Sequence, residues 1–147
     1  MRTVDVHHYF RNGIHRGRIP ADVLFDTGSV NNYVRQGWLE MWGIPYDPVT
    51  GRALSHLSSR NSRIVGETTM EWSSKSENYK DQIVFLKPAT LQSTFLVISD
   101  TASNFDLIIG ARTFLGEKLH LSPERCYVED DRQTQGGNSC ELPETDG

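Results

Sequence analysis

The chain is poor in cysteine and has no long apolar run. Its 147 residues contain two cysteines, Cys126 and Cys140, both in the C-terminal stretch, where they cannot cross-link a core built upstream. No Asn-x-Ser/Thr sequon occurs, and no apolar stretch approaches the roughly 20 residues of a membrane span. Residues 1–5 lack the apolar core of a signal peptide. We therefore expect a reduced, intracellular setting, namely the cytoplasm.

An excess of positive charge is also absent. Lys and Arg number 15 against 19 Asp and Glu, which gives a formal net charge of −4. Such a chain has no electrostatic reason to bind nucleic acid or an anionic membrane, and we expect neither as a partner. The length and the 37% hydrophobic content suit one domain with a modest core.

The most informative segment is Asp26-Thr27-Gly28-Ser29, which follows the apolar run Val23–Phe25 and occurs once. Asp-Thr-Gly also occurs in ordinary turns, so the segment alone does not define a site. A second segment, Phe105–Leu115, reads as an apolar strand that enters Gly110 and continues as a short helix.

Together the two segments resemble the signatures of retropepsins, the single-domain aspartic proteases of retroviruses and retrotransposons. The resemblance covers residues 3–121 and implies a mostly β, closed barrel-like acid protease fold with one short C-terminal helix. A second helix is possible after the catalytic loop. A chain of 147 residues carries one such loop, so the resemblance implies a homodimer.

In that family a water between two aspartates attacks the peptide bond, so the resemblance makes Asp26 of each copy catalytic and requires no cofactor or metal. It also assigns roles to the neighbours. Thr27 reaches across the dimer axis, Gly28 permits a tight turn, and Ser29 donates a hydrogen bond that favours the ionised carboxylate. Many retroviral members have alanine at this position and lack that hydrogen bond. Because the bond favours the ionised carboxylate, Ser29 predicts an acid-leaning pH optimum.

Substrate contacts are expected from apolar walls at Leu24 and Ile108 and from a flap at Leu54–Gly66. The flap tip comprises Ser58, Ser59, Arg60 and Asn61. This polar tip differs from the glycine-rich retroviral flaps and is closer to those of retrotransposon members. An ordinary exposed loop is the competing interpretation.

Two further positions depart from the retroviral pattern. Retroviral members place an arginine directly after the second-motif glycine and pair it with an aspartate after the catalytic loop. Here Ala111 and Val30 occupy those positions, and the arginine, Arg112, comes one residue later. The source of dimer stabilisation is therefore unexplained by the sequence. Asp106, at the start of a strand, is interpreted as a turn or surface residue.

The remaining chain predicts short strands and one helix. Residues 3–10 and 14–25 form a hairpin with a turn at 11–13 and an irregularity at Gly17 or Pro20. A helix capped by Asn31-Asn32 would bury four apolar side chains, Val34, Trp38, Met41 and Trp42. Strand-like pieces follow at 64–65, 68–72, 82–86 and 93–98.

Residues 1–121 form the domain, and 122–147 are a C-terminal extension with a flexible end. Adjacent His7 and His8 would point to opposite faces of a strand, so no metal site is expected.

The sequence thus predicts an aspartic endopeptidase that cuts extended peptides or polyproteins. Two alternatives stay open: a non-catalytic retropepsin-like module for dimerisation or peptide binding, and an unrelated β-rich binding domain. A retroelement, a domesticated copy and a cellular family member are all compatible with these residues.

Overall fold

The computed structural model describes residues 2–10, 15–53, 63–74, 86–99, 104–121 and 126–129. In these ranges the chain forms ten strands and two short helices. In chain order they are β1 (Arg2–Phe10), β2 (His15–Asp26), β3 (Tyr33–Arg35), α1 (Gln36–Trp42), β4 (Asp47–Ala53), β5 (Arg63–Ser74), β6 (Leu86–Pro88), β7 (Thr90–Ile98), β8 (Leu107–Gly110), α2 (Ala111–Gly116), β9 (His120–Leu121) and β10 (Cys126–Glu129).

Seven strands form one sheet in the order β1-β2-β8-β3-β7-β5-β4. A further pairing of β1 with β5 closes six of them into a barrel, and β4 lies outside β5. The interior follows from strand alternation, since every second side chain points inward. Val4 and Val6 of β1 and Trp72 of β5 are at most 1% exposed. The predicted mostly β, closed-barrel fold is therefore confirmed.

Strand order brings the two sequence motifs together. β2 pairs with β8 in parallel, from Val23 opposite Leu107 to Asp26 opposite Gly110. β3 then pairs antiparallel with β8 and parallel with β7. Because the parallel strands β2 and β8 end at the same edge, Asp26 and the second-motif glycine, Gly110, are direct neighbours.

The predicted hairpin is confirmed, but its irregularity is not. β1 and β2 pair without a register shift from Arg2 opposite Val23 to Phe10 opposite His15, so the bulge expected at Gly17 or Pro20 is wrong. Proline fits this strand because the pairing of β2 with β8 begins only at Val23. The turn predicted at 11–13 lies outside the described residues.

The helix after the catalytic loop begins later than predicted. α1 starts at Gln36, after the short strand β3, and no side chain caps its N-terminus. Its buried residues are Trp38 and Leu39, whereas Met41 and Trp42 are exposed. The helix spans only seven residues, so its core-facing side is a single turn. Gly43, in the left-handed conformation (φ 69°), ends it as predicted.

The polar middle of the chain contains longer strands than predicted. The pieces at 64–65 and 68–72 belong to one twelve-residue strand, β5, which has a register shift against β7 between Ile64 and Gly66. The piece at 93–98 is part of β7. Of the piece at 82–86, the described residue Leu86 begins β6.

A second, three-stranded sheet has the order β6-β10-β9. β10 falls inside the predicted extension 122–147, yet Cys126 and Val128 pack into the main core. Burial raises the pKa of the Cys126 thiol from 9.0 to about 12. The domain boundary at 121 stays a prediction, because residues 130–147 lie outside the described part. Within the described ranges, neither helix has the length and apolar character needed to cross a bilayer.

Candidate active site

Asp26 is the last residue of β2, and a tight turn follows it. The Ser29 backbone N–H donates to the Asp26 carbonyl at 3.0 Å, which closes the turn. The Gly28 N–H donates to carboxylate oxygen Oδ1 at 2.9 Å. The Ser29 hydroxyl is 3.4 Å from Oδ2, longer than the roughly 2.7 Å of a well-formed hydroxyl hydrogen bond. The Gly28 amide is therefore the stronger donor to this partly exposed carboxylate.

Gly110 lets β8 and the loop that follows Asp26 approach each other. A Cβ built on Gly110 would collide with the carbonyl oxygen of Asn31 and lie 2.7 Å from that of Ser29. Immediately afterwards the Ala111 N–H donates to the Ser29 carbonyl at 2.6 Å. The Arg112 N–H donates to the Val30 carbonyl at 3.1 Å. The loop is thus held by backbone contacts that only glycine at this position permits.

Asn32 fastens the same junction from inside. Its side-chain oxygen accepts from the Gly110 N–H at 2.9 Å, and its amide donates to Thr113 Oγ1 at 2.8 Å and to the Thr94 carbonyl at 3.2 Å. One side chain therefore joins the catalytic loop, β8, α2 and β7. The sequence indicated a helix cap here, and the local pattern holds no signal for partners 62 to 81 residues away.

Aromatic packing supports the strand that carries Asp26. The ring of Phe25 lies 6.4 Å from that of Trp72 and 6.5 Å from that of Phe114, measured between centroids. Such tilted and edge-to-face pairs are favourable arrangements of aromatic rings. The residue before Asp26 is therefore fixed against both the barrel interior and α2.

An ion pair fastens the opposite end of the β2–β8 pairing. Arg35 Nη2 lies 2.8 Å from Asp106 Oδ1, and Arg35 Nε donates to the Phe105 carbonyl at 2.6 Å. The second Asp106 oxygen accepts from the Asp22 N–H at 2.9 Å. The sequence pointed to a turn or surface role for Asp106 and did not indicate Arg35 as its partner.

Asp106 does not lie beside Asp26 as a second carboxylate of the same chain. It precedes Gly110 by four residues, which corresponds to about 13 Å along a strand. Gly110, not Asp106, lies opposite Asp26. Its oxygens are also engaged by Arg35 and Asp22. Asp106 therefore orders the start of β8.

The residues predicted to contact substrate differ in their exposure, and some of them lie outside the described ranges. Leu24 and Ile108 are register partners on β2 and β8. Leu24 is 38% exposed, whereas Ile108 is 2% exposed and packs with Tyr33 and Ile98. The flap tip, Ser58, Ser59, Arg60 and Asn61, lies outside the described residues. Of the predicted flap only residues 63–66 are described, as the start of β5, which pairs with β4.

A groove beside the catalytic loop does not contain the aspartate. It has a volume of about 430 Å³ and is lined by residues that include Val30, Asn31, Arg112 and Thr113, but not Asp26. Thr27 and Gly28 are exposed at the tip of the loop. One carboxylate with one strong amide donor cannot act as base and acid at once.

Comparison with known proteins supports the fold. No family model matches the sequence, and no curated protein does either. Among solved structures, the retroviral protease-like domain of Ddi1 from Leishmania major is similar with a TM-score of 0.51 at 17% identity. The alignment covers 88% of this chain and 90% of that domain. The closed six-stranded barrel with its two helices is accordingly a retropepsin-like fold.

Proposed function

We propose that this protein is an aspartic endopeptidase that acts as a homodimer, with one Asp26 from each protomer. The observation that carries the proposal is the Asp26 carboxylate itself. It is partly exposed, accepts from the Gly28 N–H, and stands opposite Gly110 in a retropepsin-like barrel. An ordinary turn aspartate would not need the contacts that Gly110 and Asn32 supply.

The chemistry needs both carboxyls. One ionised Asp26 takes a proton from the attacking water as its oxygen bonds to the peptide carbonyl carbon. The other, protonated, Asp26 gives its proton to the carbonyl oxygen. The first Asp26 then passes the proton taken from water to the amide nitrogen, the C–N bond breaks, and the second Asp26 regains a proton from a hydroxyl group as the gem-diol becomes a carboxylic acid. Because the two groups share one proton, the base and acid roles belong to the pair.

Thr27 and Ser29 are proposed to position and stabilise the two Asp26 carboxyls. Exposure of Thr27 leaves its hydroxyl accessible to the partner's loop. Shortening of the 3.4 Å Ser29–Asp26 contact in the dimer would favour the ionised carboxylate and an acid-leaning optimum. Replacement Ser29→Ala should then move the optimum to higher pH. An unchanged pH-rate profile would remove this role from Ser29.

The test is cleavage of a peptide library from about pH 3 to 7 by the wild type, Asp26→Asn and the control Asp47→Asn. Asp47 is an exposed carboxylate on β4, opposite Glu67. We expect cleavage to disappear in Asp26→Asn and to persist in Asp47→Asn. Activity that survives in Asp26→Asn refutes the mechanism.

Extended peptides or polyproteins with hydrophobic side chains at the cut are the proposed substrates. Leu24 is the exposed apolar side chain next to the loop, and Ile108 lies beside it. The burial of Ile108 in one protomer is the observation that favours the second candidate, a non-catalytic dimerisation or peptide-binding module. A stable dimer that neither cleaves the library nor binds pepstatin would identify that module.

A further inference from the structure

The terminal strands of the described chain are already paired on both sides. β1 lies between β2 and β5, and β10 lies between β6 and β9. A strand from another molecule can add only to a free edge. Neither strand therefore offers an edge to a second copy, and any contact surface formed by the described residues lies elsewhere.

Symmetry restricts where that surface lies. If two Asp26 carboxyls hold one water, a two-fold axis passes within a few ångströms of Asp26. A stable interface of standard size buries about 800 Å² on each partner, which is a patch of about 16 Å radius. Exposed side chains within that radius on the open side of Asp26 are thus candidates for burial in the dimer.

Three exposed apolar side chains fall within this radius: Leu24, two residues before Asp26 and proposed above to contact substrate, and two others. Val30 is 54% exposed, and the turn closed by Ser29 keeps its Cα within about 11 Å of that of Asp26. Leu115 is 71% exposed. Since α2 begins directly after Gly110, the neighbour of Asp26, the Leu115 Cα lies within about 15 Å.

Val30 and Leu115 belong to one patch. The Arg112 N–H donates to the Val30 carbonyl, so the first turn of α2 lies against the end of the catalytic loop. Leu115 follows Arg112 by three residues and therefore shares its helix face. The Arg112 side chain forms no hydrogen bond or ion pair with any residue of the described ranges. Exposed apolar groups beside an unpaired arginine have the composition typical of protein interfaces.

We infer that the loop–helix patch, formed by Val30, Arg112 and Leu115, is the surface on which a second copy of this chain docks. This inference rests on the proposed function, because the half-site around Asp26 is incomplete without that copy. The dimer is then held by the catalytic loop and α2, which accounts for stabilisation without the retroviral arginine–aspartate pair.

The test compares Leu115→Lys with Met41→Lys by sedimentation across a range of protein concentrations. Met41 is a matched control, since it is also 71% exposed and lies near the end of the other helix, α1. In Leu115→Lys a charge enters the contact and must lose its water there, which is costly for an unpaired ammonium group. We expect the dimer dissociation constant to rise at least tenfold in Leu115→Lys and to stay within twofold in Met41→Lys.

Peptide cleavage gives a second readout. Specific activity of Leu115→Lys should be low when dilute and recover at high protein concentration, because its active-site residues are intact. A wild type that stays monomeric, or a Leu115→Lys variant that dimerises normally, overturns the inference. Equal weakening by Met41→Lys also overturns it. A dimer that depends on Leu115 but cuts no peptide supports the surface and refutes only the protease activity.

Discussion

Gly110→Ala is the most direct perturbation of the candidate site. The added methyl group would collide with the Asn31 carbonyl oxygen and stand 2.7 Å from that of Ser29. Both obstacles are backbone atoms, so no side-chain rotation relieves the contact. Either β8 or the catalytic loop must move, and the hydrogen bonds between them are lost.

The expected magnitude follows from the contacts at this junction. Overpacking costs about 1–3 kcal/mol. Loss of the Gly110–Asn32 bond at 2.9 Å and the Ala111–Ser29 bond at 2.6 Å costs about 1 kcal/mol each. Together these changes lower the free energy of unfolding by about 3–5 kcal/mol, a large part of the total stability of a small domain.

Guanidinium denaturation measures this change, with Gly116→Ala as the control. A Cβ on Gly116 meets no atom within 4 Å, and the residue ends α2. The control should therefore be neutral or slightly stabilising. If Gly110→Ala unfolds within 1 kcal/mol of the wild type, the close approach of β8 to the loop is not as described.

Three other perturbations test neighbouring features. Arg35→Met leaves the Asp106 carboxylate partly buried without its cation and should lower the free energy of unfolding in denaturant by about 2–3 kcal/mol. Asp106→Asn keeps an acceptor oxygen and should cost less. The reverse order would contradict the contacts described between Arg35 and Asp106. Gly37→Ala lies in α1 with its nearest neighbour at 3.7 Å, so thermal unfolding should show a gain of about 0.5–1 kcal/mol and not a loss. Burial raises the pKa of Cys126 from 9.0 to about 12. The unfolded thiol therefore ionises first, so the contribution of Cys126 to stability is constant below pH 9.0 and falls above it by about 1.4 kcal/mol per pH unit until the folded thiol ionises near pH 12. Cys126→Ala should lack this component of the pH dependence, and equal slopes above pH 9.0 in the two proteins would contradict it.

The fold and the core of the site were predictable where periodic patterns are long or motifs are specific. The hairpin of β1 and β2 alternates over many residues, and Asp26 and Gly110 each lie in a distinctive segment. The prediction that Asp26 and Gly110 lie side by side followed from the family resemblance and not from their spacing alone.

The contacts that could not be predicted from the sequence join residues that are far apart along the chain. Asn32 was interpreted as a cap because its neighbours allow one, whereas its hydrogen bonds reach residues 94, 110 and 113. The Arg35–Asp106 pair spans 71 residues. The strands of the second sheet have two to four residues each, too few for alternation to appear.

The parallel pairing of β2 with β8 has a consequence for the timing of folding during synthesis. Gly110, the partner of Asp26 in the sheet, leaves the ribosome 84 residues after it. Contacts between such distant segments form slowly, because a long loop must close first. The loop Asp26–Ser29 therefore stays without its framework until most of the domain has been made.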